Sequence, residues 1–286
     1  MSDTDIALQA RAISKKFSRS LGRSILYGAQ DVCRNLVGLG TRSERLRREE
    51  FWAVEDVSFE LEINKTALIG MHCWNIGCPD GPPQDMNFCV DLGWPEATAE
   101  GYRIMEEVMR PAMDIARKIG LPVVHVEADW MDEQYPEIPS RRDKSKGYKP
   151  SGLQKEMLDR AHGADYMTKS PLVDMRRAKI VSPVADEPMV FYTDTLDEYL
   201  KENGIDTLIY TGFAADMCVL NSEGGGSAML SRGYRCILMR DGTVGVERPD
   251  TFEEKLATRY GIHIFEWKLG YSTTYADFMS AAKVAD

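Results

Sequence analysis

The sequence predicts an α/β fold in which a parallel sheet is covered by helices on both faces. Two observations carry that prediction. From residue 65 onward, short apolar segments alternate with amphipathic ones, the pattern of repeated βα units. Those apolar segments run with little polar interruption, as strands buried on both faces must. With 286 residues, 43% of them apolar, the chain can bury a sizeable core, and its length allows one or two domains. A change of pattern near residue 63 divides it into an N-terminal extension, 1–63, and a main domain, 64–286.

In the extension, Ile6, Leu8, Ala10 and Ala12 recur at every second position, the period of a half-buried strand. Ile25, Ala29, Val32 and Leu36 follow at helical spacing, and "FWAVEDVSFELE" reads as a second strand. Residues 18–48 hold seven Arg and two acids, a net of +5. The simpler reading is a solvated basic helix covering its own domain; the alternative is a stretch that docks on a partner or a membrane surface.

The main domain opens with "KTALIGM", a short buried strand. "PEATAEGYRIMEEVMRPAMDIARKIG" is a helix whose stripe is Tyr102, Met105, Val108, Met109, Met113 and Ala116, with Gly120 ending it. "LPVVHVEA" is the next strand. Residues 129–180 are polar and irregular apart from a helix near 152–162, a span suited to a lid or an oligomer contact. Then come a helix in "TLDEYLKENG", a strand in "IDTLIYTG", a helix over 218–232 and a strand in "YRCILMRD". A helix in "DTFEEKLATRYG" and a strand in "IHIFEW" close the series.

Charge narrows the partners. The net is −10, and residues 1–63 balance ten basic against ten acidic groups, so the excess acid lies in the main domain. An acidic body argues against nucleic acid, whose phosphates need a basic face. No run approaches 18 apolar residues, so no membrane-spanning helix is expected, and no secretory signal is visible. Six cysteines (33, 73, 78, 89, 218 and 236) in a chain this long are not a disulfide framework, so a reduced, cytoplasmic setting is expected.

Ligands of parallel α/β sheets bind beyond the carboxyl ends of the strands. Cys218 falls there, after the strand 206–211 and a glycine-containing turn, at the start of a helix. Free backbone N–H groups at such a place favour a thiolate and can hold an oxyanion. The competing reading is a structural thiol, as Cys236 is on its strand. His125 and Glu127 share one face of the second strand and Asp129 follows; they meet substrate or a metal, or else are satisfied polar groups at a strand end. Trp74 and Asn75, on the loop after the first strand, are expected pocket walls. His72, Cys73, Cys78 and Cys89 match no common zinc spacing, so no metal is expected. Three glycines in "SEGGGSAM" suit a close backbone approach, or else a loosely formed helix start. The methionines of the 102–116 stripe are expected in the core.

Two resemblances add to this. Residues 6–62, with "ISKKF" and "EEFWAVEDVSFELE", resemble the start of ATP-binding-cassette ATPases of polysaccharide export, Phe17 standing where that family stacks an aromatic on adenine. "MHCWNIGCPDG" follows where a Walker A loop would be, so ATP hydrolysis is not expected and a docking arm is. Residues 65–270, and above all "GIDTLIYTGFAADMCVLNSEGGGSAMLSRGYRCILMRDGTVG", resemble the isochorismatase-like cysteine hydrolases.

That resemblance implies a three-layer α/β sandwich around a parallel, Rossmann-like sheet, and hydrolysis of an amide-like C–N bond in a small molecule. It implies Cys218 as nucleophile, a cis peptide at Phe213–Ala214, an oxyanion hole from the N–H groups of Ala214 and Cys218, and Phe213 beside the substrate. It also implies a homo-oligomer and no metal or organic cofactor. Asp241 matches an acidic residue that is more often structural. Two positions depart from the family: His72 stands where the catalytic Asp ends the first strand, and no lysine lies between Lys179 and Lys201. A neutral His72 is then the expected base for Cys218. The alternative is a non-catalytic relative that binds a ligand or partner.

Overall fold

A computed structural model of the chain describes residues 6–18, 50–85, 94–138 and 151–282. They fall into two compact units, one within Leu8–Glu60 and the other holding the rest. The small unit is built on a two-stranded sheet of β1 (Ile6–Ser18) and β2 (Glu50–Glu62). The basic helix expected around 25–36 lies outside the described residues, as does Cys89.

In the large unit, six described strands form one parallel sheet. They are β3 (Thr66–Met71), β4 (Val123–Val126), β5 (Met189–Val190), β6 (Thr207–Gly212), β7 (Arg235–Met239) and β8 (Gly270–Thr273). Their order is β5-β4-β3-β6-β7-β8. The chain starts at the centre, moves outward to β5, then crosses to β6 and moves outward the other way. Every residue of β3, β4 and β6 is buried. That is why these strands read as apolar runs with no alternation.

Helices cover both faces, giving the three layers. Alternate residues of a strand face opposite ways. Ala67, Ile69 and Met71 pack with Leu196 and Leu200 of α5 (Thr193–Glu202), Val219 of α6 (Cys218–Asn221), Met229 of α7 (Gly226–Ser231) and Phe265 of α8 (Leu256–Lys268). On the opposite face Gly70 meets Met113 of α2 (Arg110–Lys118), against which α9 (Tyr275–Ala282) packs. The stripe of residues 102–116 is one continuous helical run, α1 (Pro95–Ile104) and α2 joined by a π turn, Met105–Met109. Pro111 has no N–H for the carbonyl four residues back, and the ladder shifts to the Arg110 N–H bonding the Met105 carbonyl. α3 (Gly152–His162) starts on a capping box, Ser151 with Gln154, and a short α4 (Tyr166–Lys169) follows. None of the described helices is long and apolar enough to cross a membrane.

Two expected elements differ. The helix over 218–232 is broken between α6 and α7, across Ser222–Gly225. Gly224 has φ +67°, and a Cβ there would lie 2.9 Å from Val126 Cγ1, so the chain turns close over β4 on residues that only glycine suits. The close approach is to the protein's own core. The strand expected in "IHIFEW" is the end of α8, and β8 follows it. Ile262, Phe265 and Leu269 share a helical face, and Phe265 is fully buried while Trp267 points to solvent.

Candidate functional site

The strand order reverses between β3 and β6, so their carboxyl ends splay into the crevice where ligands of open α/β sheets bind. Met71 pairs with Gly212 at that edge. Gly212 has φ +116°, and a Cβ on it would stand 1.9 Å from the Met71 carbonyl oxygen, so no other residue fits. The Phe213 N–H then bonds that carbonyl at 2.9 Å, and the Phe213–Ala214 peptide is cis. The Ala214 carbonyl accepts from Met217 and Val219 N–H at 3.1 Å each, and the Ala215 N–H donates to Val244 at 3.0 Å. This tethered loop delivers Cys218 half-buried at the crevice. The Ala214 N–H has no acceptor among the described residues.

Cys218 lines two adjoining cavities. One, of about 300 Å³, is walled by His72, Trp74, Asp129, Trp130, Ser222 and Glu223 besides Cys218. The other, about 200 Å³, adds Phe213, Ala214, Met217 and Tyr166. Trp74 and Trp130 belong to both, their ring centroids 6.1 Å apart. Of the residues named from sequence, Cys218, His72, Trp74, Asp129, Phe213 and Ala214 therefore line these cavities, but no hydrogen bond joins His72 to Cys218 among the described residues.

His72 leaves β3 with φ +46° and is 1% exposed. Its ring stacks on Trp74 at 5.3 Å, and neither ring nitrogen has a hydrogen-bond partner among the described residues. Burial, and secondly the Arg177 guanidinium, hold its pKa down to about 3, so it is neutral at ordinary pH.

The remaining sequence candidates stand behind the cavity walls. Glu127 is buried in an ion pair with Arg177, and Trp74 Nε1–H donates to Glu127 Oε2 at 3.1 Å. Burial pushes Glu127 upward, against the pull of Arg177. Arg177 also donates to Val181 O at 2.9 Å, and its backbone N–H to the Tyr135 hydroxyl at 2.8 Å. His125 Nε2–H bonds Glu187 at 2.9 Å, and burial, then Arg177, holds its own pKa to about 3. Against the cost of burial, Arg117 and His125 hold Glu187 down to about 2. Asn75 is 3% exposed; its Oδ1 accepts the Arg176 N–H at 2.8 Å and its Nδ2 donates to Asp80 O at 3.2 Å, fixing the loop after β3. Asp241 caps the start of α9, accepting the Tyr275 N–H at 2.8 Å. Burial pushes the Cys73 thiol up to about 12.

Glu223 was not singled out from sequence. It sits in the break between α6 and α7, where the Thr193 N–H donates to its Oε2 at 2.6 Å and the Thr193 hydroxyl bonds the same oxygen. The Gly224 N–H donates back to Thr193 Oγ1 at 2.9 Å, and Tyr210 O–H to Gly224 O at 2.8 Å. The one signal for it was an acidic residue directly ahead of a glycine run just after Cys218. Arg177 had no local signal.

Residues 84–258 match the family model described as the isochorismatase domain. The match includes Cys218 and begins after His72 and Trp74. Among solved structures, the chain is similar to a cysteine hydrolase from Pseudomonas syringae pv. phaseolicola 1448A, with 16% identity, TM-score 0.52, and 79% of this chain and 96% of that one covered. It is also similar to an isochorismatase-like hydrolase from Alkaliphilus metalliredigens, with 21% identity, TM-score 0.44 and coverage of 76% and 98%. N-carbamoylsarcosine amidase from Thermoplasma acidophilum has 19% identity, TM-score 0.42 and coverage of 74% and 96%. The first of these likenesses supports the fold. No curated protein matches the chain.

Proposed function

The chain belongs to the isochorismatase domain family, and from that premise we propose that it hydrolyses an amide-like C–N bond of a small molecule through Cys218. The observation that carries this reading is the half-buried thiol at the β3/β6 crossover, lining a cavity beside a backbone N–H with no acceptor among the described residues.

In the proposed reaction the Cys218 sulfur bonds the carbonyl carbon, and the oxygen takes the electron pair facing the N–H groups of Ala214 and Cys218. No hydrogen bond joins His72 to Cys218 among the described residues, so in this reading the thiol proton passes to neutral His72 only once substrate has drawn the two together. As the intermediate collapses, the C–N bond breaks and His72 returns the proton to the leaving nitrogen. Water then adds to the thioester, the C–S bond breaks, and sulfur recovers a proton as the acid departs. With its pKa held down to about 3 by burial, His72 is too weak a base to take the thiol proton at rest. The transfer therefore belongs to the moment of attack, and no resting ion pair is required. Glu127, Arg177, His125 and Asn75 act in this reading as supports for the Trp74 wall and its loop.

A second reading, a relative that binds without catalysis, is favoured by one observation: His72 replaces an acid and is a weak base. A panel of small amides separates the two. Turnover that disappears in Cys218→Ser, with an acyl adduct on Cys218 trapped by rapid quench and mass spectrometry, supports the hydrolase. Turnover that survives in Cys218→Ser, or a panel that yields neither product nor adduct, overturns it.

A further inference from the structure

The walls of the larger cavity carry one sign of charge. Asp129 and Glu223 both line it, and no lysine or arginine lines it or its neighbour among the described residues. Neither carboxylate forms an ion pair with any described residue; Glu223 uses one oxygen to hold Thr193. The residues are graded by depth. His72 is 1% exposed, Cys218 and Asp129 are half-buried, and Glu223 is exposed, so His72 lies deepest and Glu223 stands at the mouth. His72, buried on the cavity wall with neither ring nitrogen partnered among the described residues, is a second sign that the cavity is built for a polar guest. Between floor and mouth stand two indoles, Trp74 and Trp130, whose faces attract a cation.

We propose that the molecule bound here carries a positive charge on its non-reacting end, a protonated or quaternary amine. That group lies against the Trp74 and Trp130 rings, which touch each other, and faces the Asp129 and Glu223 carboxylates, while its amide reaches Cys218. The substrate class is therefore an amide of a cationic amine-bearing compound, and anionic amides are excluded. The identity of the reacting end rests on the Cys218 reading above; the charge preference does not.

The test uses the thiol as a probe of its own surroundings. Cys218 is modified in the full-length protein with two methanethiosulfonates of similar size, one bearing a trimethylammonium group and the other a sulfonate. Rates are read at the Cys218 peptide by mass spectrometry and normalised to a small free thiol, so the reactivity of each reagent cancels. The reactivity of the thiol cancels in the ratio. The expected cation-to-anion ratio is about tenfold or more, falling as salt is raised. Asp129→Asn and, separately, Glu223→Gln should each lower it severalfold; Asp129→Asn remains informative if loss of the Thr193 bond unfolds the other.

A ratio near one, a preference for the sulfonate, or a preference untouched by both variants overturns the proposal. If neither reagent reaches the sulfur, calorimetry on Cys218→Ser with benzyltrimethylammonium against benzylsulfonate decides it. The cation should then bind about tenfold tighter, about 1.4 kcal/mol, and equal or weaker binding overturns the proposal. The two readings fail separately: an amide panel without Cys218-dependent turnover sinks the hydrolase and leaves the ratio standing, whereas turnover with no cation preference sinks only this inference.

Discussion

Replacing His72 by asparagine tests whether its imidazole is held neutral. Asparagine tolerates the φ of +46°, which most side chains do not. His72 and His125 are each lowered from 6.5 to about 3, chiefly by burial. A group whose folded pKa lies below its unfolded one stabilises the fold fully above the unfolded value and loses that stability as pH falls. The loss begins near 6.5 and is complete below about 3. The loss is about 1.4 kcal/mol per pH unit well below 6.5 but half of that at 6.5 itself, so between pH 6.5 and 5 each should remove about 1.6 kcal/mol. Glu187, held near 2, loses its contribution only below this window. Urea unfolding at the two pH values should therefore show the native chain losing about 3 kcal/mol and His72→Asn about half of that. Equal losses in both proteins would mean that His72 does not sit neutral in a desolvated pocket, and the account of the base would fail with it.

Three other substitutions probe the support of the cavity. Arg177→Met leaves Glu127 buried without its partner and should cost about 3–5 kcal/mol in urea unfolding, most of it recovered by adding Glu127→Gln; no recovery would show that the pair is not the source. Trp74→Phe removes the Nε1–H bond to Glu127 along with part of the ring packed on His72 and Trp130, and should cost at least about 1.5–3 kcal/mol in the same assay, a neutral result arguing against that contact. Gly224→Ala places a Cβ 2.9 Å from Val126 Cγ1 at φ +67° and should lower stability by about 1–3 kcal/mol; an unchanged melting curve would mean the turn over β4 relaxes freely.

Cues within a few residues of each other were legible in the chain. Apolar runs marked β3, β4, β6 and β7, and the 3.6-residue stripe marked the long helical run, whose π turn was not foreseen. Isolated letters were harder. "IHIFEW" alternates well enough for a strand, and only the burial of Phe265 against Tyr210 and its neighbours shows why helix won. His125 and Glu127 were legible as polar groups on one strand face, but their partners, Glu187 and Arg177, lie 62 and 50 residues away. No local pattern encodes such a pairing.

By itself the sequence determined the α/β class, the parallel sheet and the position of Cys218 after a central strand, because strand period, apolar runs and turn glycines act between near neighbours. Tertiary structure alone decided what surrounds that thiol. The crossover from β5 back to β6 sets the end of β3 beside the end of β6, and so brings His72 and Trp74 to a cysteine about 145 residues later. Packing of Gly224 over β4 breaks the expected helix and leaves Glu223 on the cavity wall. Burial, a property of the assembled fold and not of any segment, makes His72 neutral.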